Sequence, residues 1–114
     1  MVGERRKITR KNFSYYMRVM DEASGKLVGH ISDISSGGFK LDSSQPIPLN
    51  INFRLRIDQT NEISDKGYLV FSASATWCKL DPLNPGTYSV GFKITDMTPA
   101  DYDIFLKMFN TYGK

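Results

Sequence analysis

Apolar and polar residues alternate along most of this chain, and that alternation narrows the possible folds more than any other feature. In "INFRLRID" (51–58), Ile51, Phe53, Leu55 and Ile57 share one face, and Asn52, Arg54, Arg56 and Asp58 share the other. Leu69, Phe71, Ala73, Ala75 and Trp77 line one face of a longer segment, and Tyr88, Val90, Phe92 and Ile94 do the same further on. A period of two is the mark of a half-buried strand. "SYYMRVMD" (14–21) and "KLVGHISDI" (26–34) read as two more strands parted by the turn residues 23–25, and "GFKLDS" (38–43) as a further short strand, the sixth in all. Further turns fall at "SSQPIP", "TNEISDKG" and "DPLNPG", the last punctuated by Pro82, Pro85 and Gly86.

One helix is signalled. In "MTPADYDIFLKMFNTYGK", Thr98 is placed to cap, Pro99 suits the first helical position, and Asp101 completes a pattern like a capping box. Tyr102, Phe105, Leu106 and Phe109 follow at helical spacing as the expected buried stripe, and Gly113 is the expected stop. Six short antiparallel strands in a chain of 114 residues leave exposed edges unless the sheet closes. The expected fold is therefore mainly β: a six-stranded antiparallel β-barrel with one C-terminal α-helix, at about 98–112. Residues 14–114 form the barrel and its helix, and residues 1–13 form a basic N-terminal arm.

Charge is distributed unevenly. Five Lys/Arg and one acidic residue fall in residues 1–13, which leaves ten Lys/Arg against eleven Asp/Glu in the rest. A positive field confined to one arm argues against a general nucleic-acid-binding face and for a small anionic partner. No apolar run approaches the roughly 20 residues of a membrane span, so no membrane insertion is expected. The single cysteine, Cys78, cannot form an internal disulfide, which suits a reducing cytoplasm.

Catalytic chemistry is hard to assemble from these residues. His30 is the single histidine and Cys78 the single cysteine, so neither a metal cluster nor a nucleophile with a backup base presents itself. The chain is read as a non-enzyme with no metal site. Trp77 is read mainly as core, and Arg54 and Arg56 as the solvated face of their strand.

Two stretches remain. In "GERRKITRKNF" (3–13), Arg6 and Arg10 lie four apart, with Arg5 just before them and Lys7 and Lys11 as charged spacers. In "HISDISSGGFKL" (30–41), Asp33 and Ser35 are two apart and so point the same way on an extended strand. Gly37 and Gly38 then offer positive φ and no side chain to block a ligand. By chance R-x-x-x-R would arise on the order of 0.3 times in such a chain and D-x-S-x-x-G roughly 0.03 times, so the second motif carries the weight.

Arg6–Arg10 followed by Asp33, Ser35 and Gly38, ahead of a barrel-like pattern, resembles the PilZ domain family of bacterial cyclic di-GMP receptors. The late "YSVGFKITDM", with Gly91 and Phe92, is similar to the closing strand of that family. The resemblance implies a cyclic di-GMP-binding site at Arg5, Arg6, Arg10, Asp33, Ser35 and Gly38. In it the arginines meet phosphate and the guanine O6/N7 edge, Asp33 and Ser35 read the other guanine edge, and Gly38 admits the ligand. A guanidinium suits both targets because its fork matches each. A carboxylate can accept from guanine N1–H and N2–H, which adenine lacks. An arginine at the Arg5 position implies an intercalated ligand dimer. The arm is expected to be mobile without ligand. The expected function is a change of surface on ligand binding that signals to a downstream protein not named by the sequence. The alternatives are a ligand-independent protein-interaction adaptor of the same fold, and a small β-barrel binding single-stranded nucleic acid. The second is disfavoured because most aromatics fall on the apolar strand faces.

Overall fold

The structure, a computed structural model, describes residues 11–12, 17–58 and 66–112, with residues 11, 12 and 112 described through their backbone. Seven strands and one helix are present among them: β1 (Lys11–Asn12), β2 (Arg18–Asp21), β3 (Leu27–Ser35), β4 (Gly38–Ser43), β5 (Asn52–Asp58), β6 (Tyr68–Leu80), β7 (Tyr88–Asp96) and α1 (Pro99–Tyr112). All strand pairings are antiparallel. From β3 the ladder runs through β2, β5, β6 and β7 to β4, and β4 pairs back onto β3. The result is a closed six-stranded barrel with one C-terminal helix, the fold expected from the alternation. Closure leaves each of these six strands with a neighbour on both sides, which removes the open edges of a flat sheet.

The seventh strand, β1, extends the wall. Beside the same edge of β3 that holds β2, Lys11 pairs with Ile34 and Asn12 with Asp33. Lys11 and Asn12, counted above with the arm, are thus part of the sheet. The rest of the arm, the start of the strand expected at 14–21, most of the "TNEISDKG" turn and Gly113 lie outside the described residues.

Inward positions are those the alternation marks. Val19, Ile31, Leu41, Leu55, Ile57, Leu69, Phe71, Ala73, Ala75 and Val90 have no exposed surface. Phe39 stacks on Phe92 with ring centroids 5.3 Å apart and meets Phe71 edge-on at 5.8 Å, so three aromatics fill the middle of the barrel. Gly25 and Gly86 turn the β2–β3 and β6–β7 connections with φ of 72° and 82°.

Two expectations about faces need correction. The helix is rotated by about one residue from the expected stripe: Asp101, Ile104, Phe105 and Met108 are buried, while Tyr102, Leu106 and Phe109 are only half-buried. Both sets have helical spacing, and polar contacts at the N-terminus accompany the observed choice. Thr98 Oγ1 accepts from the Asp101 amide at 3.2 Å, and the buried Asp101 carboxylate accepts from Lys66 Nζ at 2.7 Å. Tyr102 lies at the rim, where its hydroxyl donates to the Ser36 carbonyl at 2.9 Å.

Trp77 is the second correction. The ladder between β6 and β7 shifts register between Ala75 and Trp77, so that Ala75 faces Phe92 but Trp77 faces Gly91. The extra residue of such a bulge turns the following side chain over. Val90 and Phe92 are buried on either side of Gly91, so Gly91 and its partner Trp77 face outward. Cys78, opposite Val90, packs against the core instead.

Candidate functional site

The D-x-S-x-x-G segment forms the hairpin between β3 and β4, with Ser35 opposite Gly38 and residues 36–37 as its turn. Ile34 is fully buried, so Asp33 and Ser35 on either side of it share the outer face. Ser35 Oγ donates across the turn to the Gly38 carbonyl at 3.3 Å. The Gly37 carbonyl accepts from the Ile94 amide at 3.0 Å, which ties the hairpin to β7. The turn is thereby held from two sides, since Ser36 takes the Tyr102 hydroxyl of α1.

Neither Gly37 nor Gly38 adopts a left-handed conformation; among the described glycines only Gly25 and Gly86 do. The need for glycine at 38 comes from packing. A Cβ there would drive into the Phe92 carbonyl oxygen of the adjoining β7.

Asp33 is on the outer face yet only 7% exposed. A charged carboxylate is rarely this buried without cations or donors around it. The register sets Asp33 between two strands. On one side Asp33 pairs with Asn12 of β1, two residues beyond Arg10 in the chain. On the other it pairs with Lys40 of β4. Lys40 in turn pairs with Gly91 of β7, and Gly91 with Trp77 of β6.

One cross-strand row therefore runs over the outer surface through Asp33, Lys40, Gly91 and Trp77, with the backbone of Asn12 in register at its start. At about 4.8 Å per strand it spans roughly 19 Å. At Gly91 it has no side chain, and the indole of Trp77 lies over that position, since a Cβ there would run into the ring. Lys79 Nζ stands 5.4 Å from the Trp77 ring, which adds positive charge at that end.

Of the residues singled out in the sequence, Asp33, Ser35 and Gly38 share one hairpin, with the first two side by side. Arg5, Arg6 and Arg10 lie outside the described residues; the segment just after Arg10 is β1, alongside Asp33. Lys40, Gly91 and Trp77 were not read as parts of the site. Only cross-strand register joins them to Asp33, and register is a long-range property that local spacing does not carry. Arg54 and Arg56 are where the alternation put them: Arg54 donates to Ser72 Oγ at 3.2 Å, and Arg56 pairs with Asp58 at 2.9 Å and covers Tyr68 at 4.3 Å. His30 sits in β3 opposite Asp42 and Arg18, away from the hairpin turn.

No group of three or more His, Cys, Asp or Glu side chains suited to a metal ion occurs among the described residues. No helix there is long and apolar enough to cross a membrane.

A closed six-stranded barrel with a C-terminal helix and this hairpin defines a class of small β-barrel domains. The PilZ domain family model matches residues 4–109, and the chain belongs to that family. Comparison with curated proteins returns no match. Three solved structures share the fold. The PilZ domain with c-di-GMP of YcgR from Escherichia coli superposes with a TM-score of 0.69 at 14% identity, over 95% of this chain and 91% of that one. The Bacillus subtilis inhibitor of motility MotI/DgrA gives 0.68 at 14% identity, over 92% of this chain and 50% of that one. K. pneumonia MrkH in its apo state gives 0.71 at 15% identity, over 91% and 49%. This chain thus spans about half the length of MotI and MrkH. At these identities the likeness is one of fold.

Proposed function

We propose that this chain is a cyclic di-GMP receptor whose site joins the basic N-terminal run to the β3–β4 hairpin. The observation that carries this reading is the pairing of β1 with β3. It sets the backbone of Lys11 and Asn12, which follow Arg10, directly beside Ile34 and Asp33, and this supports a site shared by two motifs that lie 23 positions apart in the sequence. The c-di-GMP held by the structurally similar YcgR domain supports it.

In this reading Arg6 and Arg10 contact phosphodiester oxygens and the guanine O6/N7 edge, each through a charge-assisted fork. Asp33 accepts from guanine N1–H and N2–H, and Ser35, on the same face, adds a hydroxyl. Burial of Asp33 sharpens selection, because a base unable to donate leaves a poorly solvated carboxylate facing its edge. Gly38 holds the hairpin close to β7 so that this face stays in place. Arg5 offsets the charge of a second ligand molecule, which gives two ligands per chain bound as a pair. Ligand binding then alters the surface around the hairpin for a downstream protein to read.

Calorimetric titration tests this. Cyclic di-GMP is expected to bind and cyclic di-AMP to bind far more weakly, with linear RNA as a control for charge alone. Arg6→Ala and Arg10→Ala are each expected to weaken binding about ten- to a hundredfold, with Lys11→Ala much milder, and Arg5→Leu to move the stoichiometry from two toward one. Equal affinity for both cyclic dinucleotides sinks guanine reading by Asp33. A parent protein that binds neither is an adaptor rather than a receptor.

A further inference from the structure

We infer that Lys40 is a further ligand-contacting cation of this site, binding a phosphodiester on the β4 side of Asp33; the inference rests on the cyclic di-GMP reading above. The starting point is electrostatic. A dianionic ligand that places a guanine against the Asp33 carboxylate brings like charges together, so cations are needed on both flanks of that residue. In the receptor reading the basic run supplies one flank, the one on which β1 pairs with β3. On the other flank the residue directly across the ladder is Lys40.

Lys40 is in a position to do this. Its neighbours Phe39 and Leu41 are buried, so its own side chain leaves from the outer face, the one that carries Asp33. The backbone around it is fixed, since its carbonyl accepts from Ser32 Oγ at 3.3 Å. Its ammonium group forms no ion pair or side-chain hydrogen bond among the described residues, whereas Lys66 is committed to Asp101 and Arg56 to Asp58. Its charge is felt at Asp81, where it is the weakest of the causes that hold that carboxyl low. Beyond Lys40 the row opens. Gly91 contributes no side chain, and the Trp77 indole forms a flat apolar surface over it. A ligand lying along the row thus meets a carboxylate, then a cation, then an aromatic face, an order that suits a base edge, a phosphodiester and a second base. Lysine at the middle position supplies a mobile point charge, which suits a phosphate oxygen better than the forked edge of guanine.

The test compares the parent with Lys40→Met, Lys40→Gln, Lys40→Arg and, as an exposed control on α1, Lys107→Met. Cyclic di-GMP is titrated into each at two salt concentrations, after melting of the ligand-free proteins. Lys40→Met and Lys40→Gln are expected to bind about tenfold more weakly and with a shallower salt dependence, because one ionic contact is lost. Lys40→Arg and Lys107→Met are expected to stay near the parent. If both neutral variants bind within about twofold of the parent with unchanged salt dependence, the role of Lys40 is overturned while the receptor reading stands. A parent that does not bind overturns both. Using two neutral variants separates loss of charge from any local misfit of one side chain.

Discussion

Gly38 and Phe92 stand so close across the β4–β7 ladder that any side chain at position 38 would collide with the Phe92 carbonyl oxygen. The last letter of the D-x-S-x-x-G motif is therefore set by the barrel. Phe92 is itself locked by stacking on Phe39, so it cannot easily yield. Gly38→Ala is expected to destabilise the ligand-free protein by about 1–3 kcal/mol, measured by urea unfolding. A binding assay alone would misread this variant as the loss of a ligand contact. Unchanged stability together with lost binding would return Gly38 to a direct role at the ligand.

Trp77 is the single tryptophan, so intrinsic fluorescence reports one place on the surface. Because that place is the far end of the row from Asp33, saturating cyclic di-GMP is expected to change the intensity or the emission maximum. Gly91→Ala, which drives the indole off its seat, is expected to change the spectrum of the free protein and to reduce the ligand-induced change. A spectrum indifferent to saturating ligand would confine the site to β1, β3 and β4.

Much of the barrel was legible because alternation is local. Asn52 to Asp58 shows its two faces in seven consecutive letters, with Leu55 and Ile57 fully buried and Phe53 half-buried, whereas Ile51, just ahead of β5, is 49% exposed. Legibility ended where the backbone breaks its period. Trp77 continues the apolar alternation in the letters, but the bulge after Ala75 turns it outward, and nothing in the local sequence announces an extra residue in one strand. The helix failed in a similar way. Phe105 belongs to both possible stripes, and the choice between Tyr102 and Asp101 was decided by partners far away in sequence, Ser36 and Lys66. For the site, the spacing of Asp33 and Ser35 gave their common face, while Lys40 could emerge only from the β3–β4 register.

Asp101 is 3% exposed and depends on Lys66, which is itself 42% exposed at its side chain. Lys66→Met keeps the aliphatic stem but removes the cation and leaves the carboxylate buried. Breaking a fully buried pair costs about 3–5 kcal/mol, but solvent already screens Lys66, so about 1–2 kcal/mol is expected. The loss is to be read as a lower urea midpoint with an unchanged slope. Since Asp101 sits in the first turn of α1, amide exchange in residues 100–104 should rise more than in the strands. No change in either observable would mean that helix capping by Thr98 is sufficient alone.

Acid should loosen two turns only at the low end of the carboxylate range. The Ser24 amide donates to Asp21 Oδ2 at 2.9 Å, and this bond, helped by the Ser24 side chain, holds the Asp21 carboxyl below its usual range. Asp81 is lowered chiefly by Asn84 Nδ2 at 3.0 Å and then by the Leu83 amide at 2.9 Å. A carboxyl lowered in the folded state contributes stability that is fully present above its unfolded pKa and is lost as pH falls through the folded value. Nothing should therefore change between neutral pH and about 4, and the Ser24 and Leu83 amide resonances should move only below that, with inflections under the ordinary aspartate value of about 3.9. Asp21→Asn should abolish the inflection at Ser24 and leave the one at Leu83 in place. Lys40→Met should raise the Leu83 inflection only slightly, because Lys40 contributes less to Asp81 than either hydrogen bond does. Inflections at or above the ordinary aspartate value would show that these donors do not hold the carboxylates in solution.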